Sequence, residues 1–141
     1  MTRTRALALA TVAASTGLAH ADTFTVDLRG VSFFYGNASN LDISLVIDPG
    51  DTVEWNWISG FHNVVSGMPG DPDVGSVFDS GDPTTQPGVN FSFTFNDPGT
   101  YFYFCEPHAG LGMISSVVVT PGPSAAVALL AGTGLLARRR R

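Results

Sequence analysis

Short segments in which apolar and polar residues alternate restrict the possible folds more than any other feature of this sequence. Successive side chains of a β-strand point to opposite faces, so this alternation is typical of strands buried on one side. Turn sequences such as Asp48-Pro49-Gly50-Asp51 and Asn96-Asp97-Pro98-Gly99 separate the segments. The residues expected to face the core are, segment by segment, Leu41, Ile43, Leu45 and Ile47; Val53, Trp55 and Trp57; Val89, Phe91, Phe93 and Phe95; and Tyr101, Tyr103 and Cys105.

The alternating segments lie between residues 22 and 120, and no stretch in this range has a convincing helical period of apolar residues. Ile114 to Val119 reads as the closing strand, whereas Gly67 to Gly88, rich in Gly, Pro and Asp, is expected to be a loop outside the packed strands. Several short strands with Gly/Pro turns in about 100 residues predict an all-β domain, either a two-sheet sandwich or a Greek-key barrel.

The N-terminal end has the three-part order of a secretory signal peptide. Arg3 and Arg5 precede an apolar stretch from Ala6 to about Leu18, and Ala19-His20-Ala21 forms a small-x-small cleavage pattern. We therefore predict a signal peptide, forming a short helix, at residues 1–21 and an exported protein, periplasmic or on the cell surface. A buried first helix of the domain is the alternative.

The C-terminal end combines Pro121-Gly122-Pro123, an apolar run over residues 125–137 and four terminal Arg. A 13-residue helix would span about 20 Å, which is short for a hydrocarbon core of about 30 Å. Residues 121–141 resemble a PEP-CTERM sorting signal, although Gly122 stands where that family has Glu. The resemblance implies a short apolar helix that tethers the protein to a membrane at least transiently. A simple membrane anchor is the alternative.

The charges are distributed unevenly between the ends and the domain. The chain has seven Arg, no Lys and twelve acidic residues, but six of the Arg lie in the two end segments. Residues 22–120 keep only Arg29 against all twelve acids, a net charge of 1 − 12 = −11. This balance excludes a nucleic-acid-binding surface and favours cationic partners. The acids are scattered and form no isolated catalytic pair, so we do not expect an enzyme.

The single cysteine, Cys105, cannot form an internal disulfide, which leaves an inert thiol, an intermolecular bridge or a ligand. His108 and Met113 follow it in a C-x2-H-x4-M pattern, and His62 is the other histidine of the 22–120 domain. A thiolate, two imidazoles and a thioether suit both oxidation states of copper, and this set is typical of a blue-copper site. Zinc also binds Cys and His, but structural zinc sites favour more thiolates and do not use Met.

Two stretches then carry a resemblance across essentially the whole of residues 22–120. They are Gly50-Asp51-Thr52-Val53-Glu54-Trp55 through Phe61-His62-Asn63-Val64-Val65, and Pro98-Gly99-Thr100-Tyr101 through Cys105-Glu106-Pro107-His108-Ala109-Gly110-Leu111-Gly112-Met113. They resemble the plastocyanin branch of the cupredoxins. The resemblance implies a cupredoxin-like Greek-key β-sandwich with one type 1 copper ion, in which His62, Cys105 and His108 are equatorial ligands and Met113 is axial.

The resemblance also implies a function and supporting roles. Asn63 would tie the two ligand loops together, and the small apolar residues 109–112 would let a redox partner approach the edge of His108. Phe104 stands where plant plastocyanins have a Tyr that serves a second electron route, so we expect exit through His108. The predicted function is a monomeric carrier of single electrons between proteins outside the cytoplasmic membrane. A copper carrier or sequestering protein of the cell envelope is the alternative, and a structural sandwich with an incidental site is a third.

Overall fold

The computed structural model describes residues 20–122, except for the side chains of Val89 and Asn90. The predicted signal peptide and sorting segment, each expected to form a short helix, lie outside this range except for residues 20–21 and 121–122. Within it, no helix is long and apolar enough to cross a membrane. The described strands are β1 (Thr23–Arg29), β2 (Ser32–Tyr35), β3 (Ala38–Ser39), β4 (Leu45–Ile47), β5 (Thr52–Ser59), β6 (Val65–Ser66), β7 (Gly88–Thr94), β8 (Gly99–Phe104) and β9 (Ile114–Val119).

The strands form two sheets, which confirms the predicted all-β sandwich. One sheet has the order β3-β2-β1-β5-β7 and the other β4-β9-β8-β6. The pairs β1–β5 and β4–β9 are parallel, whereas the other pairs are antiparallel. Parallel neighbours cannot be joined by a tight hairpin, so the chain crosses between the sheets. The described residues also include two short 3-10 helices, Asn40–Asp42 and Glu106–Leu111.

Aromatic residues from both sheets fill the space between them. Val53, Trp55 and Trp57 are buried on one face of β5, as the alternation predicts. The ring of Trp55 lies 5.5 Å from that of Phe91 on β7 and 5.3 Å, edge-on, from that of Tyr103 on β8. Edge-on and offset aromatic contacts add to the free energy gained by burying these large rings. The core therefore joins β5 directly to β8.

The alternation fails at Leu41, which is 63% exposed. Leu41 lies in the first 3-10 helix, and the strand predicted over residues 41–47 is present only as β4. Asn40 explains the difference, because it adopts a left-handed conformation with φ of 49° and its Oδ1 accepts a hydrogen bond from the backbone N–H of Phe33. Asn is one of the few residues that tolerate this conformation, and the resulting turn delays the strand.

The segment from Gly67 to Gly88 does not lie wholly outside the sandwich. Its Phe78 is only 4% exposed, and its ring lies 5.4 Å from that of Trp55 and 5.0 Å from that of Phe93. Buried Ser66 fixes this position, because its Oγ accepts hydrogen bonds from the backbone N–H groups of Val77 and Phe78. The segment is thus a loop that contributes one large side chain to the core.

We expect Phe78→Ala to lower the free energy of unfolding of the metal-free protein by about 3–5 kcal/mol, because it leaves a cavity beside Trp55. Val77→Ala is the matched control, since Val77 is 47% exposed and should cost within about 0.5 kcal/mol. Urea unfolding followed by tryptophan fluorescence measures both values. Equal effects of the two substitutions would contradict the placement of Phe78 in the core.

Candidate metal centre

The four predicted ligand residues lie on two loops at one end of the sandwich. His62 follows β5, whereas Cys105 directly follows β8, His108 lies in the second 3-10 helix, and Met113 directly precedes β9. Backbone hydrogen bonds between His62 and Thr84 hold the first loop, at 3.0 and 2.8 Å. Residues 43 positions apart in sequence are therefore brought together by the packing of β5 against β8.

Three of these side chains converge on a common point. The Sγ atom of Cys105 lies 3.6 Å from Nδ1 of His62 and 3.4 Å from Nδ1 of His108. All three potential ligand atoms lie within 4.8 Å of one another. His62 and Cys105 are fully buried and His108 is half-buried. The arrangement presents one sulfur and two nitrogen donors to a single small volume.

Met113 is fully buried and is held to the same loop by its backbone. Its carbonyl oxygen accepts a hydrogen bond from the N–H of Cys105 at 3.1 Å, and its own N–H donates to the carbonyl of His108 at 3.3 Å. These bonds join the two ends of the loop from Cys105 to Met113. The fourth predicted ligand, Met113, therefore lies next to Cys105 and His108.

A hydrogen bond determines which nitrogen of His62 is available to a metal. Nε2 of His62 lies 2.9 Å from the carbonyl oxygen of Ser59, which can only accept, so Nε2 carries the proton and Nδ1 keeps its lone pair. Burial lowers the pKa of His62 and nearby His108 lowers it further, while the bond to Ser59 opposes them. His62 is therefore neutral at pH 7, the form that binds metals.

Unlike the imidazole of His62, the thiol of Cys105 is not in its metal-binding form before a metal arrives. Burial raises its pKa and the carboxylate of Glu106 adds to this effect, whereas the backbone N–H groups of Asn63 and His108 lower it by bonding to the sulfur. Without a metal the thiol is protonated at neutral pH, so binding must release a proton. Such a site favours a metal with a high affinity for thiolate, and two imidazoles with a buried methionine nearby fit copper better than structural zinc.

Asn63 joins the two loops, as the family resemblance implies. Its Oδ1 accepts a hydrogen bond from the backbone N–H of Glu106 at 2.9 Å, and its Nδ2 donates to Oε2 of Glu106 at 2.7 Å. Nδ2 also lies 3.3 Å from the carbonyl oxygen of Gly81. The carboxylate of Glu106 and the carbonyl of Gly81 are partners that the sequence patterns do not reveal.

Gly60 is a further site residue that sequence reasoning missed. It has a φ of 110°, and a Cβ atom at this position would lie 2.4 Å from Nε2 of His62 and 3.0 Å from the carbonyl oxygen of Gly30. No side chain fits there unless the His62 ring moves. The only sequence signal is a glycine two positions before the predicted ligand, which is too common to be informative alone.

The exposed rim of the site is apolar. Leu111 is 67% exposed, Phe61 directly before His62 is also exposed, and Ala109 and Gly110 complete the loop beside His108. Leu111, the largest of the apolar residues expected around His108, is thus the most exposed side chain of this rim. Phe104, by contrast, is buried, so it offers no surface of its own.

Comparisons with known proteins agree with this geometry. A family model described as copper binding proteins of the plastocyanin/azurin family matches residues 40–120. The chloroplastic plastocyanin of Hordeum vulgare is 39% identical over 77 residues, covering 52% of this chain and 49% of that protein. Halocyanin of Natronomonas pharaonis is 40% identical over 75 residues, covering 52% of this chain and 43% of that protein. The alignments thus span about half the length of these relatives.

The fold is also similar to that of a solved structure. Amicyanin from Paracoccus versutus has a TM-score of 0.51 and 26% sequence identity, over 73% of this chain and 86% of that chain. The family match starts at residue 40 and ends directly after β9, so it includes all four residues of the predicted site.

We expect Gly60→Ala to weaken copper binding by about tenfold or more, because the added methyl group displaces the ring of His62. Gly50→Ala is the matched control, since Gly50 has a φ of 100° but no neighbouring atom within 4 Å of the place a Cβ would occupy, so it introduces backbone strain without the contact. Competition with a copper chelator measures both affinities. Equal affinities in the two variants would contradict the role assigned to Gly60.

Proposed function

Because the chain belongs to the plastocyanin/azurin family of copper-binding proteins, we propose that it carries single electrons between redox proteins outside the cytoplasmic membrane. Members of this family bind one type 1 copper ion and act in electron transfer. The observation that carries the proposal is the convergence of His62, Cys105 and His108 on one point.

In this proposal His62, Cys105, His108 and Met113 hold the copper ion, which supplies the one-electron change when bound. The chain's own contribution is to fix its side chains beforehand. Ser59 orients the ring of His62, and the bonds between Cys105, His108 and Met113 close the second loop. Preorganised ligands move little when the charge changes, which lowers the cost of each transfer. Plastocyanin-like family members are carriers rather than enzymes, and we propose the same of this chain.

We assign the electron route to the half-buried edge of His108. The apolar rim formed by Phe61, Ala109, Gly110 and Leu111 can be cleared of water by a partner at little cost, so a partner's cofactor could approach the imidazole closely. The buried ring of Phe104 supports this route over one along the side of the sandwich.

The charge of residues 22–120 supports redox partners that are cationic. One Arg against twelve acids leaves a net charge of −11, and that Arg, Arg29, already pairs with Asp27. Long-range attraction would then raise the rate of encounter, while the apolar rim determines the final contact. We propose that the chain acts as a monomer in these encounters.

We also propose an exported location with a membrane tether. Residues 1–21 would direct export, residues 22–120 would form the working domain, and residues 121–141 would act as a PEP-CTERM-like retention segment. The order of charged and apolar residues in both ends supports this division. A tether at residue 121 would leave the copper loops free, because β9 runs away from Met113 before it reaches the tail.

We expect the copper-loaded protein to be intensely blue when oxidised and to cycle reversibly by one electron, and Cys105→Ser to remove the colour because the thiolate is lost. Met68→Leu, a methionine outside the site, should remain blue. Visible and electron paramagnetic resonance spectra with voltammetry test this. A colourless wild-type complex, or one that bleaches without cycling, would contradict electron transfer, and rapid loss of copper to an acceptor protein would favour copper carriage.

We expect the rate of oxidation of the reduced protein to depend on salt in opposite ways for two small oxidants. Raising the ionic strength from about 0.01 to about 0.5 M shortens the screening distance about sevenfold, so attraction and repulsion both weaken. A cationic cobalt(III) phenanthroline complex should then react more slowly and anionic hexacyanoferrate(III) faster. Stopped-flow measurements of both rates test the acidic surface, and a flat dependence for both would indicate docking through the apolar rim alone.

A further inference from the structure

The carboxylate of Asp51 is buried without a positively charged partner. Asp51 lies directly before β5 and is only 4% exposed. Its Oδ1 accepts a hydrogen bond from the backbone N–H of Asp22 and its Oδ2 accepts one from that of Asp48, each at 2.8 Å. Neither donor is charged, and Arg29, the only Lys or Arg of the described residues, pairs with Asp27 instead. Buried carboxylates usually have a cation beside them, which this one lacks in the uncleaved chain.

Asp22 is held in place at both its nitrogen and its carbonyl group. Its N–H donates to Asp51, and its carbonyl oxygen accepts a hydrogen bond from the backbone N–H of Thr52 at 2.9 Å. The next residue, Thr23, begins β1 and is paired with Thr52 in parallel register. The pairing of β1 with β5 therefore fixes the nitrogen of Asp22 beside the carboxylate of Asp51.

The predicted signal-peptide cleavage falls at this nitrogen. The small-x-small pattern ends at Ala21, which is exposed, so cleavage would break the bond between Ala21 and Asp22. Hydrolysis adds water across that bond, with the hydroxyl group going to the carbonyl carbon of Ala21 and the hydrogen to the nitrogen of Asp22. The new carboxyl group releases its proton, and the new amine takes one up at neutral pH because its ordinary pKa is about 7.7–8.0. A neutral N–H donor thereby becomes a cation at the same position.

We propose that Asp51 binds the α-ammonium group created at Asp22 when residues 1–21 are removed, so that processing adds an ion pair to the folded protein. The inference rests on the part of the proposed function in which residues 1–21 are removed, and it does not depend on copper. Asp22 precedes β1 and Asp51 precedes β5, whereas His62 follows β5, so the ion pair lies at the opposite end of the sandwich from the metal centre. A hydrogen bond between two charged groups is roughly twice as strong as a neutral one.

Among the described residues, the charged groups around this nitrogen are acidic once residues 1–21 have left. They are the carboxylates of Asp22 itself, of Asp51 and Asp48, and of Asp97 in the turn between β7 and β8. His20, whose Nε2 lies 3.5 Å from Oδ1 of Asp22, is 89% exposed and belongs to the removed segment. Negative charges favour the protonated amine, so folding should raise its pKa. The resulting stabilisation is complete below the pKa of the unfolded chain and is lost as the pH rises through the raised value.

The composition of the chain allows this amine to be modified selectively. The sequence contains no Lys, so after removal of residues 1–21 the α-amino group of Asp22 is the only primary aliphatic amine. Acetylation removes its charge but keeps one N–H group at the nitrogen, as in the uncleaved peptide bond. The acetylated protein therefore keeps the hydrogen bond to Asp51 and loses only the charge.

The metal-free chain from Asp22 to Arg141 gives the first test. At pH 6 its unfolding equilibrium constant should be about tenfold smaller than that of its acetylated form, which corresponds to about 1.4 kcal/mol. The difference should be largely lost at pH 10, where the amine is neutral. Urea unfolding at both pH values measures it. Equal stability of the two forms at pH 6, or an undiminished difference at pH 10, would overturn the ion pair.

Asp51→Asn gives the second test, because it removes the charge and keeps an acceptor oxygen. Reductive methylation with ¹³C-formaldehyde labels the same amine and preserves its charge, so the NMR signal of the label reports its pKa. That pKa should be about one unit higher in the folded protein than in the urea-unfolded protein, close to the usual spread of such values. Asp51→Asn should remove most of this shift. Asp42→Asn, the matched control, removes an exposed carboxylate from the first 3-10 helix and should keep it. A full shift in Asp51→Asn, or none in the wild type, would overturn the role of Asp51.

Mass spectrometry of the exported protein separates this inference from the processing on which it rests. A chain that starts at Asp22 supports both. A start at another residue would contradict the proposed boundary of the signal peptide and overturn the inference for the exported protein. A start at Asp22 together with equal stability of the free and acetylated forms would overturn the ion pair alone.

Discussion

The edge-on contact between Trp55 and Tyr103 joins the two sheets at the point on which the metal site depends. Trp55 lies on β5, which leads to His62, and Tyr103 lies on β8, two residues before Cys105. The packing of these rings sets the distance between the strands, and the strands in turn set the distance between the donor atoms. Close-packed interiors deform little, so a separation fixed in the core is transmitted to the loops above it.

Sequence patterns predict the parts of the structure that depend on periodicity or on a rare combination of residues. The alternation of Val53, Trp55 and Trp57 places β5 correctly, and the spacing of Cys105, His108 and Met113 indicates a metal loop. Features that depend on one side chain meeting a distant partner are not visible in this way. Asn40 interrupts a predicted strand by bonding to Phe33, and Phe78 enters the core from a segment with no apolar period.

Burial shifts the pKa values of two site residues in opposite directions, lowering that of His62 and raising that of Cys105. Burial favours the neutral form of each, which leaves His62 ready to bind a metal but keeps the proton on Cys105. A metal can therefore bind His62 without displacing a proton, whereas it must displace a proton to bind Cys105. The arrangement also requires a glycine at position 60, because the ring of His62 occupies the volume that a side chain there would fill.

The segment from Gly67 to Gly88 is attached to the site at several points. Thr84 pairs with the backbone of His62, the carbonyl of Gly81 accepts from Asn63, and Ser80 pairs with Val64. Surface loops ordinarily tolerate proteolytic nicks and insertions. Here a cut near residue 80 would loosen the backbone that carries the predicted ligand His62, although the cleaved bond lies far along the chain from it. The length of this loop is thus constrained by the position of His62 as well as by folding.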